Sequence, residues 1–178
     1  MNQPLPQRAK QNIQWDVELI KRYDKSGPRY TSYPTAVQFH EGFDKSHYDL
    51  CRTQSNQLAQ PLSLYVHIPF CAHVCYYCAC NKVITKRREK AQPYLDTLYK
   101  EMALRASGYP KDRKVEQLHW GGGTPTFISH EQMSELMNKL AENFNLSEDA
   151  DRDFSIEIDP RELQEGTLAH LKHIGFNR

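Results

Sequence analysis

The stretch 62-LSLYVHIPFCAHVCYYCACNK-82 decides the fold, because an apolar run of strand length leads directly into a cluster of cysteines. Residues 62–68 are rich in β-forming side chains and predict a strand. Four of the chain's five cysteines follow within ten residues, namely Cys71, Cys75, Cys78 and Cys80. A disulfide framework usually spreads its cysteines to close long loops, so this spacing indicates metal ligation in a reducing compartment. We therefore expect a cytoplasmic protein.

Helices and strands are predicted to alternate after the cysteines. The elements in order are a helix over 92–106, a strand over 115–120, a helix opened by Ser129, a strand over 154–159 and a helix over 161–173. Ser129 and Gln132 match a capping box, and Gly175 is placed to end the last helix. The order β-α-β-α-β-α predicts an α/β fold with parallel strands and right-handed crossovers.

The region before the first strand has a different character. Residues 1–13 are polar and predict a loose arm, residues 15–23 and 46–59 predict helices, and the tyrosine-rich segment 26–35 predicts an extended chain. Prolines within that last segment exclude a helix there. We divide the chain into an amino-terminal arm with helices over 1–60 and an incomplete parallel α/β domain of three βα units over 61–178.

The final residues GFNR (175–178) resemble the approach to a fourth strand. A sheet of three parallel strands covers its own faces poorly and leaves an open edge. We therefore expect the chain to be the amino-terminal piece of a longer protein.

Charge and hydropathy exclude several classes of function. The chain has 23 Lys+Arg against 22 Asp+Glu, so no basic surface for nucleic acid is expected. No apolar run approaches the roughly 20 residues that a membrane span needs, and the amino terminus lacks the apolar core of a secretion signal. We expect no nucleic-acid partner, no membrane span and no export.

The spacing Cys71-x3-Cys75-x2-Cys78 predicts an iron–sulfur site. Three thiolates on one loop can hold three irons of a [4Fe–4S] cluster and leave the fourth iron open to a small molecule. The alternative is a structural zinc site on these cysteines and Cys80. Zinc sites usually draw their four ligands from two separated pairs, and this chain has no second pair. The spacing therefore favours the cluster, and the zinc module stays as an alternative.

Two further positions are candidates for ligand contact. The triplet Gly121–Gly123 ends a predicted parallel strand, where a bare backbone lets a ligand approach. Alternation places Glu157 with Ser155 and Asp159 on one face of the third strand. That face is either exposed to solvent or, in a closed parallel sheet, turned inward, where an unpaired carboxylate is costly and an amine-bearing ligand would offset that cost. His67 and His119 precede these loops, and we expect each to be a hydrogen-bonded structural histidine.

These motifs together resemble those of the radical S-adenosylmethionine (SAM) superfamily. YVHIPFC…CYYCACNK, SGPRYTSYPTA (26–36), HWGGGTPT (119–126) and SIEIDPRE (155–162) are similar, more narrowly, to the oxygen-independent coproporphyrinogen III oxidases. The resemblance runs from about residue 16 to the end. It implies the first half of a parallel (β/α) radical-SAM barrel preceded by an arm.

The resemblance also implies a role for each of ten residues. Cys71, Cys75 and Cys78 would ligate the cluster; Tyr65, Tyr77, Gly122 and Glu157 would contact SAM on the open iron; Gly123 and Thr124 would contact a second SAM; and Cys80 would be a catalytic fourth cysteine. The family often has Phe at Tyr77 and Gly at Ala79. Tyr77 keeps the aromatic face, and Ala79 matters only if that position needs a positive φ.

The implied reaction is the oxidative decarboxylation of two propionates of coproporphyrinogen III, which gives protoporphyrinogen IX in heme biosynthesis. The reduced cluster would cleave SAM to a 5′-deoxyadenosyl radical that removes a propionate β-hydrogen. The implied partners are coproporphyrinogen III and an electron donor for the cluster, and a monomer is expected. A heme-trafficking paralogue that keeps the cluster without decarboxylating is the alternative of a different class.

Overall fold

The computed structural model describes residues 15–25 and 36–178. The predicted loose arm over 1–13 and the predicted extended segment over 26–35 lie outside these residues. The chain forms two compact units, Met1–Tyr48 and Asp49–Arg178, and the division falls within a helix that spans both. The boundary predicted at residue 60 stays a prediction.

The first unit contains helix α1 (Val17–Tyr23) and the start of helix α2 (Lys45–Leu58), which confirms the two helices predicted there. Both begin at an aspartate. The Asp16 carboxylate accepts a hydrogen bond from the Leu19 N–H at 2.9 Å, which caps α1. Asp44 accepts bonds from the Ser46 hydroxyl and from nearby backbone N–H groups, and these bonds lower its pKa to about 2.

The second unit is an α/β sheet structure. Its strands are β1 (Leu62–Ile68), β2 (Phe70–Cys71), β3 (Val83–Ile84), β4 (Lys114–Gly122), β5 (Asn145–Leu146) and β6 (Asp153–Ile156). Its further helices are α3 (Ala91–Ala106), α4 (His130–Asn143) and α5 (Thr167–His173). Strand β4 pairs with β1, β5 and β6, and every pairing is parallel. The predicted parallel strands, with helices between them, are confirmed.

Alternation along the strands separates the hydrophobic core from the site. On one face lie Val66, Ile68, Leu118, Trp120 and Phe154, all buried against the helices. On the other face, Tyr65 of β1 is in register with His119 of β4, and His119 is in register with Ser155 of β6. Helix α4 begins with the predicted capping box between Ser129 and Gln132. The helices therefore cover the apolar face of the sheet. The side chains of Tyr65, His119 and Ser155 form a polar row on the other face.

The third strand and the third helix are both shorter than predicted. Strand β6 ends at Ile156 rather than at residue 159, and α5 begins at Thr167 rather than at residue 161. The Asp159 carboxylate accepts a hydrogen bond from the Arg161 backbone N–H at 3.0 Å, which favours a turn over a helix. Gly166 then adopts a φ of +79° immediately before α5.

The end of α5 is as predicted. Gly175 has a φ of +109°, and its N–H donates to the Lys172 carbonyl at 3.2 Å. The Phe176 N–H reaches back to the Leu171 carbonyl at 3.0 Å, which completes a Schellman motif.

The last residues of the chain then run beside β6. The Asn177 N–H donates to the Phe154 carbonyl at 3.0 Å, and the Ile156 N–H donates to the Arg178 carbonyl at 3.3 Å. These bonds match the predicted approach to a fourth strand.

Within the described ranges, 15–25 and 36–178, we find no helix with the length and apolarity required to cross a bilayer.

Candidate functional site

The cysteine loop (residues 72–82) is closed at its base by the short pair β2 and β3. The Val83 N–H donates to the Pro69 carbonyl at 2.8 Å, and the Thr85 N–H donates to the Cys71 carbonyl at 2.9 Å. Cys71 is therefore buried in a strand at the start of the loop. The loop leaves the sheet immediately after β1, at the carboxyl end of the parallel strands where such sheets bind ligands.

One cavity of about 540 Å³ collects the predicted site residues from three parts of the chain. It is lined by Cys71, Cys75, Cys78 and Cys80, by Tyr77, by residues 122–124 and by residues 157–161. Cys71 is buried, Cys75 and Cys78 are half-buried, and Cys80 is exposed. Of the predicted site residues, the cavity lining lacks Tyr65.

The donor set fits an iron–sulfur cluster better than a single metal ion. In the described part of the chain, no three His, Cys, Asp or Glu side chains converge to hold one ion. A cubane cluster binds each thiolate through a different iron, so its ligands lie farther apart than the ligands of one zinc ion. Cys71, Cys75 and Cys78 line one cavity, as the ligands of such a cluster would.

The backbone after β4 packs directly on the start of the cysteine loop. The Gly123 N–H donates to the Ile68 carbonyl at 2.8 Å, and the Thr124 N–H donates to the Phe70 carbonyl at 2.8 Å. The Thr124 hydroxyl lies 3.7 Å from the Cys71 sulfur. The glycine motif therefore positions the first cysteine as well as lining the cavity.

Gly121 and Gly122 lie against the polar row of the sheet. A Cβ atom on Gly121 would come within 2.9 Å of His119 Nε2 and 3.1 Å of Glu157 Oε2. Gly122 has a φ of +115°, and its N–H donates to Glu157 Oε2 at 3.1 Å. The sequence predicted that the triplet Gly121–Gly123 would let a ligand approach, but not that Gly121 leaves space for Glu157.

The sequence predicted that Glu157 lies within a strand, but the residue lies just beyond the end of β6. Its own N–H still donates to the Trp120 carbonyl at 2.9 Å, so its backbone remains bonded to β4. Glu157 Oε1 lies 3.7 Å from His119 Nε2, and His119 Nδ1 is 2.8 Å from the Ser155 hydroxyl. The carboxylate is thus held at the cavity by a backbone N–H and a neighbouring imidazole.

The two tyrosines of the predicted site occupy different environments. The Tyr65 ring stacks on His119 at 5.8 Å between centroids, and its hydroxyl lies 2.9 Å from His67 Nδ1. Partial burial raises the pKa of the Tyr65 phenol, and the Glu157 carboxylate raises it further. Tyr77 is 88% exposed at the cavity. His67 and His119 are hydrogen-bonded as expected, but both are only half-buried.

The thiols of Cys78 and Cys80 interact with each other. A hydrogen bond from the Cys80 backbone lowers the pKa of the Cys78 thiol, whereas the hydrogen bond with the Cys78 side chain raises the pKa of Cys80. The Lys82 ammonium donates to the Cys78 and Cys80 carbonyls at 3.5 and 3.4 Å. Cys80 therefore lies beside a proposed ligand with an exposed sulfur of its own.

The sequence reading missed Asp159 and Arg161, which face the cysteine loop from the segment after β6. Arg161 Nη2 lies 3.8 Å from the Cys75 sulfur and 2.7 Å from Asp159 Oδ2. The hydrogen bonds from Arg161 lower the pKa of Asp159 to about 2. On the same segment, Glu162 pairs with His73 of the loop at 3.1 Å. The motif SIEIDPRE contained these residues, but nothing local showed that they contact the loop.

Comparison with known proteins agrees with this geometry. The sequence profile of the radical SAM superfamily matches residues 65–178. The chain is 56% identical over 169 residues to the oxygen-independent coproporphyrinogen III oxidase of Pseudomonas aeruginosa, covering 93% of this chain and 36% of that protein. It is 50% identical over 148 residues to a sequence of the same name from Mannheimia haemolytica, covering 83% of this chain and 98% of that sequence.

A solved structure shares the fold. The coproporphyrinogen III oxidase of Escherichia coli, described as a radical SAM enzyme, superposes with a TM-score of 0.77 at 48% identity, covering 94% of this chain and 36% of that one. The predicted α/β fold of the radical-SAM type is therefore confirmed. The chain spans 36% of the length of several of the relatives it matches, including those of P. aeruginosa and E. coli.

Proposed function

Because this chain belongs to the radical SAM superfamily, we propose that the protein carrying it decarboxylates coproporphyrinogen III to protoporphyrinogen IX without oxygen, in heme biosynthesis. The names of its relatives at 50–56% identity support this substrate. The observation that carries the proposal is the convergence on one cavity of Cys71, Gly122 and Glu157, which lie at the ends of β2 and β4 and just beyond β6.

We assign the cluster ligands to Cys71, Cys75 and Cys78, which leaves one iron open for the amine and carboxylate of SAM. Together, cluster and SAM supply a 5′-deoxyadenosyl radical, which is chemistry of the cofactors rather than of the protein. An external electron donor is required to reduce the cluster, and an electron acceptor is required to take the electron that remains when CO2 leaves the substrate.

Glu157 is the residue that we assign to the amine of the bound SAM. Its carboxylate is already held by the Gly122 N–H at 3.1 Å, so it presents a fixed negative charge at the cavity. A charge-assisted hydrogen bond of this kind contributes about 1.5–3 kcal/mol when sheltered. The carboxylate thus orients SAM while the bare Gly122 backbone lets it approach.

Further contacts are assigned around this centre. Tyr65 is assigned to SAM, and its ring stacks on His119. Tyr77 lines the cavity, where an aromatic ring limits the access of water. Gly123 and Thr124 are assigned to a second SAM. The exposed thiol of Cys80 is assigned to the substrate side, where it can exchange a proton or hydrogen atom.

The deciding experiment is anaerobic electron paramagnetic resonance (EPR) of the reconstituted, dithionite-reduced full-length protein with and without SAM. A [4Fe–4S]⁺ signal that changes on addition of SAM supports the open iron, and release of CO2 from coproporphyrinogen III supports the substrate. The variant Cys75→Ala removes a proposed ligand, and Cys51→Ala is its control because Cys51 lies on α2, outside the cavity lining.

Two results would contradict the proposal in different ways. Bound zinc without acid-labile sulfide would contradict the radical chemistry altogether. A cluster that responds to SAM in a full-length protein that releases no CO2 would point instead to the heme-trafficking role.

A further inference from the structure

The side chain of Arg161 lies between Asp159 and the sulfur of Cys75. Its Nε and Nη2 atoms donate to the two Asp159 oxygens at 2.9 and 2.7 Å, so the pair forms a bidentate fork. The same Nη2 is 3.8 Å from Cys75 Sγ. One planar group therefore touches both a carboxylate and a proposed cluster ligand.

The fork is fixed from the carboxylate side. Asp159 Oδ1 also accepts the Arg161 backbone N–H at 3.0 Å, and the Asp159 side chain is only 18% exposed. A guanidinium held at two points loses little further freedom when it donates to a third atom. The orientation of Arg161 is consequently set by its own turn rather than by the cysteine loop.

The cysteine loop depends on contacts from outside itself. Between residues 72 and 80, the described backbone pairs with itself through the Cys78 N–H and the Cys75 carbonyl at 3.1 Å. The segment after β6 contacts the loop twice, through Arg161 to Cys75 and through Glu162 to His73. Both contacts therefore fall on residues 73–75 of the loop.

We propose that Arg161 is a positioning residue that donates an N–H···S hydrogen bond to the cluster ligand Cys75 and raises the reduction potential of the cluster. This inference rests on the proposed cluster site. Reduction adds negative charge to the cluster and its sulfurs, so a nearby donor with a positive charge stabilises the reduced form more than the oxidised form. Asp159 serves by holding the guanidinium in place.

The test is an EPR-monitored redox titration of the reconstituted full-length protein. In Arg161→Gln we expect unchanged iron and sulfide content and a lower potential. At a fixed solution potential, the ratio of reduced to oxidised cluster should fall about tenfold. This change corresponds to a reduction potential lower by about 59 mV for a one-electron couple. Arg161→Lys keeps the charge without the fork and should recover part of the shift.

The matched control is Arg87→Gln. Arg87 also forms an ion pair, with Glu89 at 2.7 Å, and its side chain is 70% exposed against 68% for Arg161, but it lies outside the cavity lining. Its substitution should leave the potential of the cluster unchanged.

The outcomes separate this inference from the function it builds on. A full cluster in Arg161→Gln at the potential of the unsubstituted protein overturns the inference and leaves the cluster site intact. A protein that binds no cluster before any substitution overturns the proposed function instead. If Arg161→Gln assembles no cluster, Arg161→Lys decides, because it keeps the positive charge and loses the fork: a potential below that of the unsubstituted protein supports the inference, and an unchanged one contradicts it.

Discussion

A Cβ atom on Gly123 would lie 2.8 Å from the sulfur of Cys71, so the space left by the missing side chain is where the first cysteine projects. The same atom would be 2.7 Å from the Phe70 carbonyl oxygen. Neither neighbour is the flexible end of a long side chain that could swing away. The glycine motif after β4 and the cysteine motif after β1 are therefore coupled by packing, independently of any ligand.

Gly123→Ala should consequently damage the cluster site more than the fold. The methyl group must displace Cys71 or the backbone of β2, and we expect less than half the iron and sulfide of the unsubstituted protein after reconstitution. Circular dichroism should still report the α/β fold. Gly108→Ala is the control, because its Cβ would meet only the movable Arg52 side chain. Full iron content in Gly123→Ala would contradict the coupling.

Glu157→Gln should weaken SAM binding and spare the cluster. The substitution keeps the shape and an acceptor for the Gly122 N–H but removes the charge that we assign to the SAM amine. Losing a charge-assisted bond of about 1.5–3 kcal/mol corresponds to a tenfold or larger rise in the Kd for SAM. The measurement is a SAM titration of the EPR signal. Glu116→Gln, on the exposed part of β4, should bind SAM normally; equal affinities in the two variants would argue against this role of Glu157.

Cys80→Ser should separate cluster assembly from turnover. Cys80 is exposed and is not one of the three proposed ligands, so the variant should hold a normal amount of iron and sulfide. Loss of the thiol should nevertheless reduce CO2 release by at least tenfold if it acts on the substrate. Iron analysis and a CO2 assay on the same sample test both parts. Loss of the cluster in this variant would mean that Cys80 supports assembly rather than catalysis.

Arg113→Met should lower the free energy of unfolding, because this buried guanidinium bonds to residues 55–60 within the same unit, Asp49–Arg178. It donates to the Gln60 carbonyl at 2.6 Å, to Asn56 Oδ1 at 3.0 Å and to the Ser55 hydroxyl at 2.9 Å. Leaving such acceptors without a donor costs about 1–3 kcal/mol, which a urea denaturation curve resolves.

The control for that measurement is Arg105→Gln. Arg105 is 53% exposed and pairs with Glu101 one turn away on α3, so we expect a change within about 0.5 kcal/mol. Equal losses in the two variants would show that the Arg113 contacts contribute no more than an exposed ion pair.

Local patterns predicted most of the architecture. The capping box at Ser129, the glycine stop at Gly175 and the parallel order of the strands were all readable, because each depends on residues a few positions apart or on the alternation of elements. The start of α5 was placed too early for the same reason. The helix was predicted from residue 161, but the Asp159 turn and the left-handed Gly166 delay its start to Thr167.

The sequence alone indicated the radical SAM superfamily. The cysteine motif and the glycine motif are each a short continuous stretch, so each can be recognised without knowing which distant residues it meets in the fold. Only the tertiary structure decided that Gly123 makes room for Cys71, that Gly121 makes room for Glu157, and that Arg161 reaches Cys75. Each of these contacts joins residues that are far apart in the chain and that meet because parallel strands end at one edge of the sheet. Periodicity carries no information about such distances, whereas close packing in the folded chain determines them.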